Sequence, residues 1–197
     1  MAYFTKSEAR SAAARSRGLQ KSFGSTPGRI LKESVTATTA ADRFDVFLSH
    51  SIADAEIVLG VKQLLEESGL NVYVDWVEDA LLDRRAVTKE TAAVLRQRMR
   101  QSKSLIYLSS DNSSSSKWMP WELGYFDGFM PGGVAIMPIL DSQSDSFKGQ
   151  EYLGLYPIVQ KDTYKDGRPD IFVEEFGVRW STLKKFGSGQ PAWATYG

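Results

Sequence analysis

The chain contains no cysteine and a single histidine, His50, among its 197 residues. The absence of cysteine excludes a disulfide framework and a thiol nucleophile. With one histidine and no cysteine, the His and Cys clusters that bind zinc are excluded as well. No apolar run approaches the about 18 residues that a membrane-spanning helix requires. We therefore expect no bound metal and no membrane span, and the cytoplasm is the expected compartment.

Net charge is also absent, because 24 Lys and Arg residues balance 24 Asp and Glu residues. This balance gives no indication of nucleic-acid binding, and we expect none. The distribution is uneven, since residues 1–32 contain seven basic residues and one acid. We interpret residues 1–42 as a basic N-terminal extension and linker, solvated and partly disordered, with a short helix over 7–17. A basic arm is also typical of a membrane-surface, nucleic-acid or partner contact.

From residue 44 onward, short runs of strand-forming residues alternate with helical patterns. Strands are predicted over the segments 44–49, 70–75, 104–108, 134–140 and 156–160. Helices are predicted over the segments 52–68, 88–101, 118–129 and 171–186. This alternation predicts a three-layer α/β fold, in which helices cover both faces of a mainly parallel sheet. The flavodoxin-like strand order 2-1-3-4-5 is the most economical for five strands, with the domain over 43–187 and a C-terminal tail over 188–197.

Parallel sheets of this kind bind ligands outside the carboxyl ends of their strands, at the point where the strand order reverses. In the predicted order, that point lies between the first and the third strand. Ser49 and His50 end the first strand, and Ser109 and Asn112 follow the third. Neither a glycine-rich dinucleotide fingerprint nor a P-loop is present. The topology therefore places a candidate site among these four residues.

Glu122 is the residue with the clearest chemical potential near this point. Pro120 predicts a helix start near 117–119, because proline fits a helix best in its first turn. Glu122 then lies in or just after that turn, where the helix dipole favours an ionised carboxylate by about 0.3–1 kcal/mol. Trp118, one turn earlier, adds an aromatic wall. This pairing suits the oxocarbenium-like state of glycosidic bond cleavage, although spacing alone favours a surface acid at a helix N-terminus.

Two motifs stand in order along the chain, with the expected elements between them. The segment 44–51 (FDVFLSHS), followed by Asp54, resembles the opening strand and helix start of TIR (Toll/interleukin-1 receptor) domains. The segment 118–122 (WMPWE) is similar to the WxxxE motif of bacterial TIR proteins. The charged segment 76–87 lies where that family has its BB loop. The resemblance covers 44–140 and extends more weakly to about residue 186.

The resemblance implies an NAD-consuming enzyme. Similar bacterial proteins, such as those of Thoeris antiphage systems, use NAD to make ADP-ribose or a cyclised ADP-ribose signal. The implied activity is therefore that of an NAD glycohydrolase or ADP-ribosyl cyclase in antiphage immune signalling, with NAD as substrate and not as a held cofactor. The implied catalytic residue is Glu122. The candidate substrate-binding residues are Ser49, His50, Trp76, Arg84, Ser109, Asn112 and Trp118.

The family also implies partners. Self-association through TIR domains is expected, as is a downstream effector that senses the nucleotide product. Two other functions stay open. A TIR interaction module that assembles through its BB loop would not require the acid of the WxxxE motif. A nucleoside deoxyribosyltransferase-like enzyme would use a carboxylate nucleophile, but no clear second acid shares the helix face of Glu122, although Asp127 is close in sequence.

Overall fold

The computed structural model describes residues 1–19, 26–36, 38–75 and 88–196, and the statements below concern these residues. Its strands are β1 (Phe4–Thr5), β2 (Phe44–Ser49), β3 (Val72–Val74), β4 (Ser102–Ser109), β5 (Val134–Leu140), β6 (Ile158–Thr163), β7 (Pro169–Glu175), β8 (Arg179–Thr182) and β9 (Ala194–Thr195). Its helices are α1 (Lys6–Leu19), α2 (Pro27–Thr36), α3 (Ala55–Glu67), α4 (Lys89–Arg100), α5 (Met119–Phe129) and α6 (Leu183–Gly187). Short 3-10 turns occur at Ile52–Asp54, Ser113–Ser115 and Glu151–Leu155.

The described strands form one sheet in the order β3-β2-β4-β5-β6-β7-β8-β9, with β1 beside β5. The strands from β3 to β6 along this path pair in parallel. Their order is the predicted 2-1-3-4-5, and the predicted α/β fold class is confirmed. The sheet is larger than predicted, because β7, β8 and β9 extend it in antiparallel pairing.

Two apolar cores lie on opposite faces of the sheet. Along β2, Val46 and Leu48 point into a core shared with α1, α2, α3 and α6. Phe47, between them in sequence, points into a second core shared with α4 and α5. Because successive side chains of a strand point to opposite faces, the central strands are apolar on both sides. This double burial fixes the sheet as the middle layer of three.

The predicted helix over 171–186 is wrong. This segment forms the hairpin of β7 and β8, followed by the short helix α6. Gly177 has a φ of 71° at the hairpin turn, where the Val178 amide donates to the Glu175 carbonyl at 2.9 Å. Large apolar residues at helical spacing suggested a helix, but a glycine in the middle and the β-branched residues around it favour a hairpin. The segment therefore follows the two-residue alternation of strands, and not the helical spacing.

The N-terminal segment is part of the folded unit. Phe4 and Thr5 pair with Ile139 and Leu140 of β5, and α1 confirms the predicted helix. Ala9 and Ala13 of α1 are fully buried, so the expectation of a solvated leader is wrong for residues 1–19. The prediction treated a lack of large apolar residues as a lack of packing. Small residues pack just as densely when two helices approach closely, as α1 and α3 do.

Ion pairs account for much of the basic charge in this segment. Arg10 and Arg17 lie 3.5 and 3.6 Å from Glu56 of α3. Arg15 forms a two-pronged contact with Glu67 at the end of the same helix, at 3.1 and 3.0 Å. These exposed pairs are individually weak. Together they match a basic helix to an acidic one, which gives α1 a defined orientation on α3.

None of the described helices combines the length and the apolar character needed to cross a lipid bilayer.

Candidate active site

Glu122 lies in the first turn of α5, as predicted. The helix begins at Met119, and Pro120 occupies its first turn, where a missing amide hydrogen costs nothing. The Glu122 side chain points inward and is 0% exposed. A carboxylate at this position gains from the positive end of the helix dipole. Because the position is fully buried, the carboxylate also needs hydrogen-bond partners.

Ser49 provides one such partner. Its hydroxyl donates to Glu122 Oε2 at 2.5 Å, and both residues are buried. Ser49 is the last residue of β2, and β2 pairs directly with β4. The two side chains are 73 residues apart in sequence and meet where the strand order reverses. The structure therefore brings together the serine and the acid that the topology placed at one site.

His50 follows Ser49 and is also fully buried. Its Nδ1 lies 2.9 Å from the carbonyl oxygen of Leu48. A hydrogen bond of this kind fixes the orientation of the imidazole and holds the proton on Nδ1. The imidazole of the residue that follows Ser49 therefore has a fixed orientation.

A hydrogen-bond network joins the two loops beside this pair. Asp54, at the start of α3, accepts from the Ser110 hydroxyl at 2.5 Å and from the Asn112 side-chain amide at 2.7 Å. Asn112 was predicted to bind substrate, and here its amide instead connects the β4–α5 loop to α3. Asp54 and Ser110 were absent from the predicted site residues. The only sequence signal for this network was that Asp54 belongs to the first motif.

Tyr107 is a further residue that the sequence analysis missed. It lies directly opposite Ser49 in the pairing of β2 with β4 and is fully buried. Burial raises the pKa of the Tyr107 phenol, and the neighbouring Tyr152 hydroxyl and the charge of Glu122 add to this effect. The phenol therefore stays neutral beside the carboxylate. Its position on the same sheet face as Ser49 was available from the strand alternation.

Two of the other predicted site residues are largely buried, and two lie outside the described residues. Ser109 is the last residue of β4 and is 8% exposed. Trp118 is 5% exposed and packs edge-on against Trp121, with 5.4 Å between ring centroids. Most of the Trp118 ring is therefore committed to the second core. Trp76 and Arg84 lie outside the described residues.

Lys6 brings the N-terminal segment to the same end of the sheet. Its ammonium lies 2.5 Å from Asp111 after β4 and 2.9 Å from Asp141 after β5. Hydrogen bonds to Asp111 and Asp141 raise the pKa of Lys6, so the side chain keeps its charge. The first residue of α1 thus joins the carboxyl ends of two central strands, and nothing in the sequence beyond the basic excess indicated it.

The arrangement can stabilise a positive charge in a water-free site. A fixed carboxylate that accepts a hydroxyl hydrogen bond, in surroundings of low dielectric, interacts more strongly with a cation than it would in water. Within the parts of the chain that the structure describes, no group of three or more His, Cys, Asp and Glu side chains could hold a metal ion. Among the predicted site residues that the structure describes, Glu122 is the one that carries a carboxyl group.

Comparisons with known proteins identify relatives of this sequence. The "Probable 3' cyclic ADP-D-ribose synthase ThsB'" of Bacillus cereus (strain MSX-D12) is 58% identical over 121 residues, which cover 61% of this chain and 62% of that protein. The "Putative cyclic ADP-D-ribose synthase TIR2" of Cytobacillus dafuensis is 35% identical over 83 residues, which cover 42% of this chain and 22% of that protein. The matches thus span less than two thirds of the length of these relatives.

The family profile described as TIR domain matches residues 46–168. This range includes all but the first two residues of the first motif and of β2, the whole second motif, the strands β3 to β6 and the Ser49–Glu122 pair. It covers more than half of the 197 residues. The chain belongs to the TIR domain family.

Proposed function

We propose that this protein cleaves the nicotinamide–ribose bond of NAD and converts the remainder to a cyclic ADP-ribose that signals in antiphage defence. The observation that carries the proposal is the buried Glu122 carboxylate, held by Ser49 at 2.5 Å where the strand order reverses. The two relatives are both named as cyclic ADP-D-ribose synthases, which supports the same reaction.

Nicotinamide is a favourable leaving group for such a site. In NAD the pyridinium ring is cationic, so the C1′–N bond breaks with its electron pair moving to nitrogen, and neutral nicotinamide departs without a general acid. Positive charge then develops on C1′ and the ring oxygen of the ribose. Glu122 stabilises that charge from a fixed position, and Ser49 keeps the carboxylate oriented. A second carboxylate is not required for this step.

The fate of the ribosyl cation depends on what reaches C1′ first. Capture by water gives ADP-ribose, whereas capture by a nucleophile of the ADP half gives a cyclic product. Ser49, His50 and Glu122 are each fully buried, which favours exclusion of water and therefore cyclisation. When the acceptor is a hydroxyl, its proton passes to Glu122 as the new C–O bond forms.

The same burial means that NAD cannot reach Glu122 without a rearrangement around it. We therefore expect a resting state of low activity and a substrate-bound state in which the surrounding loops have moved. In that state, Ser49, His50, Ser109 and Asn112 are proposed to line the ribose and phosphate positions. Trp118 is proposed to contribute the edge of its ring, and Trp76 and Arg84 are proposed to contact the base and the pyrophosphate.

Self-association through TIR domains is proposed as the means of this rearrangement, and an effector that senses the cyclic nucleotide is the proposed downstream partner. An interaction module without activity is the competing function. In an interaction module, the buried Ser49–Glu122 hydrogen bond would have no role beyond packing. The enzyme is therefore the more economical of the two functions.

Product identification tests the reaction. The full chain is incubated with NAD, both purified at high concentration and in lysate of phage-challenged cells, and products are separated by chromatography and weighed by mass spectrometry. We expect nicotinamide together with a product whose mass equals NAD minus nicotinamide. A product heavier by one water would show hydrolysis instead of cyclisation. Intact NAD under both conditions would favour the interaction module.

A further inference from the structure

A cavity of about 580 Å³ lies in the antiparallel part of the sheet, away from β2 and α5, which carry Ser49 and Glu122. Its volume falls in the range of about 300–1,000 Å³ that is typical of ligand pockets. Its walls come from the end of β6, from β7 and β8, and from the C-terminal residues near β9. Half of its lining residues lie beyond residue 168, where the match to the TIR family ends. The cavity therefore lies only partly within the matched domain.

Aromatic rings form one side of the cavity. The ring centroids of Tyr164 and Phe172 are 5.1 Å apart, and those of Phe172 and Trp180 are 5.4 Å apart. Tyr164 and Trp180 are separated by 6.4 Å, and all three pairs meet edge to face. Tyr196 also lines the cavity. Rings at such angles present several π faces to one volume, an arrangement that attracts organic cations.

Glu174 adds a negative charge to the same cavity. Glu174 is 3% exposed and lies opposite Trp180 in the pairing of β7 with β8. None of the described residues hydrogen-bonds to its Oε1 atom. Burial raises the pKa of Glu174, and the nearby Asp162 raises it further. A buried carboxylate that lacks a full set of partners is costly, and a bound cation would offset that cost.

Cations of the described chain also lie at the cavity, but none of them hydrogen-bonds to Glu174 Oε1. The N-terminal ammonium of Met1 pairs with the lining residue Asp162 at 3.4 Å, and its charge partly offsets the rise in the pKa of Glu174. Lys165 lines the cavity but is exposed in the β6–β7 turn. Arg168 stacks on Tyr164 at 5.3 Å and pairs with Asp166 at 2.8 Å, which shows that this aromatic group already accommodates a cation on its outer side.

We propose that this cavity binds a small organic ammonium ion, with Tyr164, Phe172 and Trp180 around the cationic group and Glu174 as its counter-charge. The ligand class is that of quaternary ammonium compounds and protonated amines. A metal ion is not the ligand that we propose, because the described residues form no group of three or more His, Cys, Asp or Glu side chains that could hold one. The site is independent of the proposed NAD chemistry.

Calorimetric titration of the full chain with choline tests the proposal directly. The matched probe is 3,3-dimethyl-1-butanol, which has the same shape as choline but carries no charge. We expect choline to bind and the neutral alcohol to bind at least about tenfold more weakly. This comparison needs no variant of the protein and no NAD turnover, so its outcome is separate from that of the proposed function.

Two substitutions locate the site. Glu174→Gln keeps the shape and removes the charge, and it is expected to weaken choline binding at least about tenfold. Glu175→Gln is the control, because Glu175 is the neighbouring residue of β7 and already pairs with Arg179 at 2.7 Å; choline affinity should be unchanged. Thermal melting of both variants verifies folding.

Three results would overturn the proposal. The first is a failure of choline to bind the wild-type protein. The second is equally strong binding of the neutral alcohol, which would mark the cavity as merely apolar. Binding that is equally strong in Glu174→Gln would place the cation outside this cavity. If Glu174→Gln does not fold, Trp180→Leu replaces it, and choline affinity should again fall while the affinity of the neutral alcohol changes less.

Discussion

At Glu122, two separate features favour the same ionised carboxylate. The first turn of α5 contributes the helix dipole, and Ser49 contributes a hydroxyl hydrogen at 2.5 Å. A buried carboxylate would otherwise tend to take up a proton. The ionised form of Glu122 is the form that would stabilise an oxocarbenium-like state.

Ser49→Ala tests the role of the serine at the proposed site. Hydrogen bonds to charged groups contribute about 1.5–3 kcal/mol, so losing this one should lower kcat for nicotinamide release by about 10–100-fold. KM should change less, because the interaction acts mainly on the orientation of Glu122. Steady-state kinetics with NAD measure both constants.

The matched control is Ser104→Ala. Ser104 is also buried, and its hydroxyl donates to the carbonyls of Asp45 at 3.0 Å and Gly187 at 3.2 Å. Its removal should lower the melting temperature without lowering kcat. Equal losses of kcat in both variants would mean that Ser49 acts only through stability.

Among the elements, the contact of α1 with α3 is the closest. A Cβ atom on Gly60 of α3 would lie 1.8 Å from the carbonyl oxygen of Ala9 in α1. No side chain fits in that space, so glycine at this position allows the two helix backbones to approach. This approach places α1 so that Lys6, its first residue, reaches the loops after β4 and β5.

Gly60→Ala should therefore force the helices apart. Overpacking of this kind typically costs about 1–3 kcal/mol, which corresponds to a Tm decrease of several degrees. Differential scanning calorimetry of the full chain measures the change.

Gly128→Ala is the control, because it is expected to change the free energy of unfolding in the opposite direction. Gly128 lies in α5, and a Cβ atom there would meet nothing within 4 Å. Alanine at an open helical position should increase the free energy of unfolding by about 0.5–1 kcal/mol. A Gly60→Ala protein as stable as wild type would show that α1 is not held against α3.

At the scale of helices and strands, part of the fold was predictable from the sequence. The parallel strands and their order were predictable, because runs of buried residues alternate with helical patterns and few topologies satisfy both. The meeting of Ser49 with Glu122 followed from that order alone. The hairpin of β7 and β8 did not, because its apolar residues fit a period of 3.6 nearly as well as a period of 2.

Two further features depended on contacts distant in sequence. The Asp54–Ser110–Asn112 network joins two loops, and hydrogen bonds between loops follow from their exact conformations, which residue patterns do not encode. The docking of α1 depended on small residues, whose packing contributes little to an apolar periodicity. In both cases the residues were visible, but their partners lay more than 40 positions away.

For the whole molecule, burial of the proposed catalytic residues means that substrate entry requires a rearrangement, and self-association is its proposed cause. We expect nicotinamide release per protein molecule to rise with protein concentration, because association of TIR domains follows mass action. Kinetics over a range of protein concentrations, together with sedimentation of the same samples, measure the relation. Full turnover that is independent of concentration in a strictly monomeric sample would contradict the proposed self-association.

The central claim is that Glu122 carries the cleavage of NAD. The most direct test compares nicotinamide release by the wild type and by Glu122→Gln, at high protein concentration and with melting curves that verify folding of both. Glutamine keeps the shape of the side chain and can still accept from Ser49, but it removes the charge that stabilises the ribosyl cation. We predict a decrease in kcat of at least about 100-fold. A folded Glu122→Gln protein that releases nicotinamide at the wild-type rate would contradict the account.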